Sequence, residues 1–308
     1  MKYLDEFMDD FFANFPQAAS GNLSVEEMNR LLEENQHKIN RRPEKDFDGI
    51  SREQMYFLLN DPMGEKSLIQ FHTMTDISLA QIPLLALSDL LITKIKQTGK
   101  LKLTVGGNLP VSICEYLLAQ NLIDWKYRSS LTRVQEETIP YLTPLKHYMV
   151  DSNLVKKHKN ALVLTQEGER IAGANLPDRF IHLFMFIAGR YNWENLNRLK
   201  DNGIYGQLGW AFSLYLLARY GNEPRDARFY SDKVMRAYFP ELYDHREDED
   251  CKDQASWFEH SYAYRFFEVF SNWFGLVDIS YQDEPGTFIE KLTIRKTALF
   301  DQLFTVRL

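Results

Sequence analysis

Three short alternating stretches, each running into Leu-Thr, constrain this chain more than any other feature. Lys100-Leu101-Lys102-Leu103-Thr104 alternates in the manner of a strand, as do Ala161–Thr165 and Phe288–Thr293. Before the second and third, Leu154-Val155 and Leu276-Val277 open an outgoing strand, and a turn joins the two strands. The turns are Lys156–Lys159 and Asp283–Gly286. A helical pattern precedes each unit and another follows it. The threonine hydroxyl is suited to capping the turn after the strand. Gly107 and Gly168 stand three residues beyond the threonine, available for a positive φ, whereas the third unit has Lys296 there.

A helix, a two-stranded wing and a returning helix make up the outline of a winged helix. The expected class is therefore mainly α with small β-hairpins (α+β), with winged-helix-like units embedded in a helical protein. The break Gly173-Ala174-Asn175-Leu176-Pro177 suggests an N-terminal region over 1–175 and a C-terminal region over 176–308, the latter ending in the third unit.

The rest of the pattern is helical. Leu4, Phe7, Met8, Phe11, Phe12 and Phe15 predict an amphipathic helix over 1–16. Ser24 with Glu27, and Ser51 with Gln54, are capping boxes that open two further helices. A strand is expected at 67–72 and a long helix over 79–97, with Pro83 in its first turn. The most apolar run, Ile77–Ile95, is interrupted by Gln81, Pro83, Ser88, Asp89 and Lys94, so it predicts a buried helix and no membrane span.

Composition narrows the compartment and the partners. The N-terminus is acidic and lacks an apolar signal core, and the two cysteines, Cys114 and Cys251, match no disulfide or zinc spacing. Cys114 lies in an apolar helical pattern, so a buried free thiol in a reducing, cytoplasmic setting is expected. The net charge of −7 disfavours broad binding to nucleic acid, although a local basic patch is compatible with it.

Gly49-Ile50-Ser51-Arg52-Glu53-Gln54-Met55-Tyr56, together with the long helix leading into Leu101–Pro110, resembles bacterial uncharacterised proteins related to plasmid-borne and insertion-element passenger genes. The resemblance covers roughly residues 20–175 and extends more weakly to the unit ending at Leu292-Thr293. It implies no established reaction and no catalytic residues.

Four kinds of chemistry compete with plain structural roles. Nucleic-acid contact would rest on Lys146, Lys156, Lys157 and Lys159, the last three on the expected wing beside His158. By contrast, the helix from Val111 carries no Lys or Arg, and Ser261–Trp273 carries only Arg265. The acidic stretch Asp244–Asp253, with His245 and Cys251, matches no metal-binding spacing, so no metal and no cofactor are expected. The seven histidines are scattered, and no nucleophile elbow, His-Glu-x-x-His or P-loop is present. The dense aromatic run from Trp257 to Phe274 reads chiefly as core, with Phe266, Phe270, Trp273 and Phe274 buried. Tyr262, Arg265, Glu268 and Asn272 would then form an exposed stripe for a protein partner. The favoured function is a non-enzymatic interaction or scaffold protein. A DNA-associated accessory protein using the Lys-rich wing is the alternative.

Overall fold

Both capping boxes form, and they fix the starts of the N-terminal helices. The computed structural model describes residues 2–20, 22–197, 201, 203–283 and 290–307. It begins with α1 (Lys2–Asn14), α2 (Val25–Asn40) and α3 (Arg52–Asn60). Ser24 and Ser51 accept from the backbone N–H of Glu27 and Gln54, and those side chains reach back to the cap N–H. Each cap contributes about 1 kcal/mol. Phe11, Phe15, Ala18 and Leu31 form the core of this unit, with Met8 and Met28 against it. The chain divides into two compact units, Met1–Ser67 and Leu68–Leu308. The expected break at residue 175 falls within the second unit, where Asn175 caps a helix.

The second unit opens with β1 (Ile69–Phe71), α4 (Asp76–Leu79) and α5 (Pro83–Thr98). Pro83 occupies the first turn of α5, as expected, and Gly99 stops the helix at φ 70°. Then come β2 (Leu101–Lys102), α6 (Val111–Leu118), α7 (Leu142–Asp151), β3 (Val155–His158), β4 (Ala161–Leu164) and α8 (Gln166–Ala172). α9 (Leu176–Met185) continues into a π-helical turn over 186–190, and two single turns follow, α10 (Glu194–Asn197) and α11 (Ile204–Gln207). The chain proceeds through α12 (Trp210–Tyr220), β5 (Arg225–Asp226), α13 (Ala227–Tyr238), α14 (Pro240–Asp244) and α15 (Glu249–Tyr262), which widens into a π helix over 263–271. β6 (Val277–Asp283), β7 (Glu290–Lys296), α16 (Ala298–Leu303) and β8 (Phe304–Val306) complete it. The chain is mainly α, 59% helical with 11% strand in small antiparallel sheets.

The strands settle how many units there are. β2 pairs with β4, which pairs with β3, so the first and second sequence units share one three-stranded sheet of order β2-β4-β3. β5, β7 and β6 form a second sheet in the same arrangement. The three expected units are thus two repeats of similar order: helix, short strand, helices, hairpin, helix, with two helices before the hairpin in the first and three in the second. α5 to α8 is the first and α12 to α16 the second.

Leu-Thr closes the first repeat as expected. Thr104 Oγ1 accepts from Asn108 N–H at 3.0 Å, and Thr165 caps α8 by accepting from Gly168 N–H at 3.0 Å. Leu292-Thr293 does not close the second repeat. The seven-residue β7 runs on past it, Thr293 pairs with Ser280 and Asp226, and Thr297 caps α16 instead. From residue 284 onward, the turn expected at 283–286 lies outside the described residues, as does Phe288. Gly168 also has a different reason from the one expected. Its φ is not positive; a Cβ there would lie 2.0 Å from the carbonyl oxygen of Leu154.

Phe184 on α9 sits at the centre of an aromatic cluster between β1 and the second repeat. Its ring lies 5.0–5.7 Å from those of Phe71, Phe180, Trp210, Phe270, Phe274 and Phe304. Close offset and edge contacts of this kind add about 0.5–1.5 kcal/mol per pair beyond area burial. Phe266, Phe270, Trp273 and Phe274 are buried as expected, at 0–1% exposure. β1 and β8 pair in antiparallel register and bring both ends of this unit to the same core. Among the described residues, no helix is long and apolar enough to cross a membrane.

Candidate functional site

The lysines of the first repeat stand on a sheet too small to bury them. Leu101, Leu162 and Lys157 lie in line across the three strands, and Lys102, Ala161 and His158 form the next row. Strand alternation sends Leu101, Val155 and Leu162 inward, where all three are buried, and turns Lys102, Lys156 and His158 to the solvent face. Lys159 and Asn160 form the two-residue hairpin loop at φ 46° and 57°. Positive φ at both positions gives the twist that matches a tight antiparallel hairpin.

Backbone and amide contacts weld this loop to the exit of β2. Leu103 N–H donates to Asn160 O at 2.9 Å, and the Asn160 amide donates to Leu103 O and Thr104 O at 3.2 and 3.0 Å. Lys100, Lys102, Lys156, Lys157 and Lys159 are all exposed along this edge of the sheet, its lysine rim, with Lys157 on the face opposite Lys102 and Lys156. None of these five makes an ion pair among the described residues. Asp and Glu are absent from 90–114 and from 152–166, so the local field is positive although the chain is acidic.

Lys146 is not part of the rim. Its ammonium sits 2.5 Å from Glu136 Oε1, with side-chain exposures of 14% and 1% for the two residues. It also donates to Gly107 O at 3.3 Å. Glu136 accepts from Leu109 N–H at 2.6 Å. The pair pins loop 103–110 against α7, so Lys146 positions the rim from behind and has no ammonium free for a ligand. Elsewhere α7 packs on α9 and its π turn: Tyr148 Oη and His182 Nδ1 are 2.9 Å apart, and Arg190 donates to Asp151 O. Burial holds His182 below its ordinary pKa near 6.5. Cys114, buried on α6 within reach of the Glu136 and Lys146 charges, has its thiol pushed up to about 11, first by burial and then by the Glu136 charge. Such a thiol is a structural group and no nucleophile.

The second repeat carries a cleft of about 610 Å³ between α15, the start of α13 and the β6–β7 hairpin. Trp257 stands at its edge with 55% exposure. Most of its charges are tied to one another. Arg228 lies 3.8 Å from Glu259, Lys291 lies 3.9 Å from Asp226, and Tyr281 Oη donates to Glu268 at 2.8 Å. Burial raises the carboxyl pKa of Glu259, helped by the charge of Asp232, and burial likewise raises Asp232. Two cations of this repeat's hairpin are paired too, Arg295 near Asp278 and Lys296 2.6 Å from Asp301.

The exposed stripe expected at Tyr262, Arg265, Glu268 and Asn272 does not form. Tyr262 and Arg265 are both 0% exposed. The helix takes a wider i→i+5 pitch over 263–271, which changes which residues share a face. Arg265 turns inward to a two-point ion pair with Asp201, at 2.7 and 2.8 Å, and donates to Tyr205 O. The aromatic left exposed is Trp257, which simple periodicity places with the core. No group of metal ligands is present among the described residues, and the stretch 244–253 is largely taken up by α14 and α15. No family model matches the chain, and no curated protein or solved structure matches it either.

Proposed function

We propose that this chain is a nucleic-acid-associated accessory protein that holds the phosphate backbone on the lysine rim of its first repeat. The observation that carries the reading is the nearness of Lys100, just before β2, and Lys102 on β2 to Lys156, Lys157 and Lys159 on the hairpin, all exposed and without a carboxylate partner among the described residues. Free lysines on a rigid edge neutralise phosphates and release counterions. The order of elements in both repeats supports a winged-helix-like module, with β3–β4 as the wing.

Contact is led by the sheet. α7, which stands where a base-reading helix would be, has Val150 and Asp151 exposed and commits Lys146 to Glu136. Phosphate contacts without base contacts position a protein and carry little sequence information. In the second repeat, Lys291, Arg295 and Lys296 of the hairpin each face a carboxylate. The test is fluorescence anisotropy on a labelled duplex of about three helical turns, with the wild type and with Lys100, Lys102, Lys156, Lys157 and Lys159 changed to Ala. A loss of more than tenfold at low salt is expected. Equal affinity of the two proteins overturns the reading.

A further inference from the structure

The cleft of the second repeat retains one uncommitted charge, and that charge is negative. It holds four carboxylates, Asp226, Asp253, Glu259 and Glu268, against three cations, Lys126, Arg228 and Lys291, together with His260. Lys291 faces Asp226 and Arg228 faces Glu259. Lys126 lies over the Tyr281 ring at 5.4 Å, and the hydroxyl of that ring is bonded to Glu268. Asp253 is left without a partner among the described residues. It lies one helical turn before Trp257 on α15, so the two side chains are neighbours on the face that lines the cleft.

An exposed indole with a free carboxylate beside it is a cation receptor. The ring face attracts a guanidinium or ammonium through its quadrupole, and the carboxylate completes the ion pair. We propose that the cleft beside Trp257 receives an arginine or lysine side chain of a protein partner, held between the indole and Asp253. Arginine fits better, because its planar group stacks on the ring while offering N–H donors at its edge. The site is separate from the lysine rim, since no rim residue lines the cleft. One chain would then join a partner protein to nucleic acid.

The experiment uses the full chain, labelled with nitrogen-15, and two acetylated, amidated octapeptides of glycine. One carries two arginines and the other carries citrulline at those places. The indole cross-peak of Trp257 is assigned by its loss in Trp257→Phe. The arginine peptide is expected to move that peak in a saturable way, the citrulline peptide to leave it in place, and Asp253→Asn to weaken binding about tenfold. The rim variant is expected to bind the peptide as the wild type does. Equal shifts with both peptides overturn the inference, as does a Trp257 peak unmoved at millimolar peptide or full affinity in Asp253→Asn.

Discussion

Replacing Lys146 with Met tests whether this residue supports the rim from within. The ammonium and the Glu136 carboxylate are 2.5 Å apart, and Glu136 is 1% exposed, so removing the cation leaves a buried charge without its counter-ion. Breaking a buried pair from one side costs about 3–5 kcal/mol. Glu136 keeps its 2.6 Å bond from Leu109 N–H, which puts the expected loss near the lower end, at about 3 kcal/mol. In a unit of this size, each kcal/mol moves the melting temperature by about 2–4 °C, giving a fall of roughly 6–12 °C. Adding Glu136→Gln removes the orphaned charge and retains an acceptor for Leu109, so the double variant is expected to recover all but about 1 kcal/mol. Thermal and urea melts of the wild type, both single variants and the double variant close the cycle. A Lys146→Met protein that melts within about 2 °C of wild type refutes the reasoning, as does a double variant less stable than either single one.

Further outcomes follow from other residues. Gly168→Ala should cost about 2–3 kcal/mol in urea melts, because the added methyl meets the Leu154 carbonyl at 2.0 Å; a neutral result would mean that the backbone gives way there freely. Asn160→Ala should cost about 1–2 kcal/mol and lower duplex affinity, since it removes two bonds to the β2 exit and strains a φ of 57°. His182 has a lowered pKa when folded, so the unfolded chain takes up its proton first on acidification, and stability is lost as the pH falls below about 6.5. His182→Gln should therefore show a smaller drop in melting temperature between pH 7 and pH 5 than the wild type; equal drops would count against that assignment.

Local signals are legible in the chain and long-range pairings are not. Ser24, Ser51 and Pro83 each act within one helical turn, and the hairpin around Lys159 within a few residues, so all four positions can be read directly. The pairing of β2 with β4 spans about 60 residues through a two-residue strand, too short to carry a period. That pairing places Lys100 and Lys102 beside the wing, so the size of the rim lies out of reach of the sequence. β5 is hidden for the same reason. Lys146 and Arg265 look like surface cations until their partners appear. Glu136 and Asp201 lie 10 and 64 residues away in the chain, and nothing local marks either as a counter-ion. Periodicity groups Trp257 with its aromatic neighbours, but its place on α15 faces the cleft.

The central claim is that the five rim lysines hold phosphates. The most direct measurement is the dependence of duplex affinity on salt, as a plot of log K against log salt concentration. Four to five phosphate contacts give a slope of about −4, and removing a lysine that holds a phosphate lowers its magnitude by about 0.9. The account predicts that slope for the wild type and a slope near −2 for Lys156→Ala with Lys159→Ala. Slopes that agree in the two proteins, or a wild-type slope near zero, would contradict it.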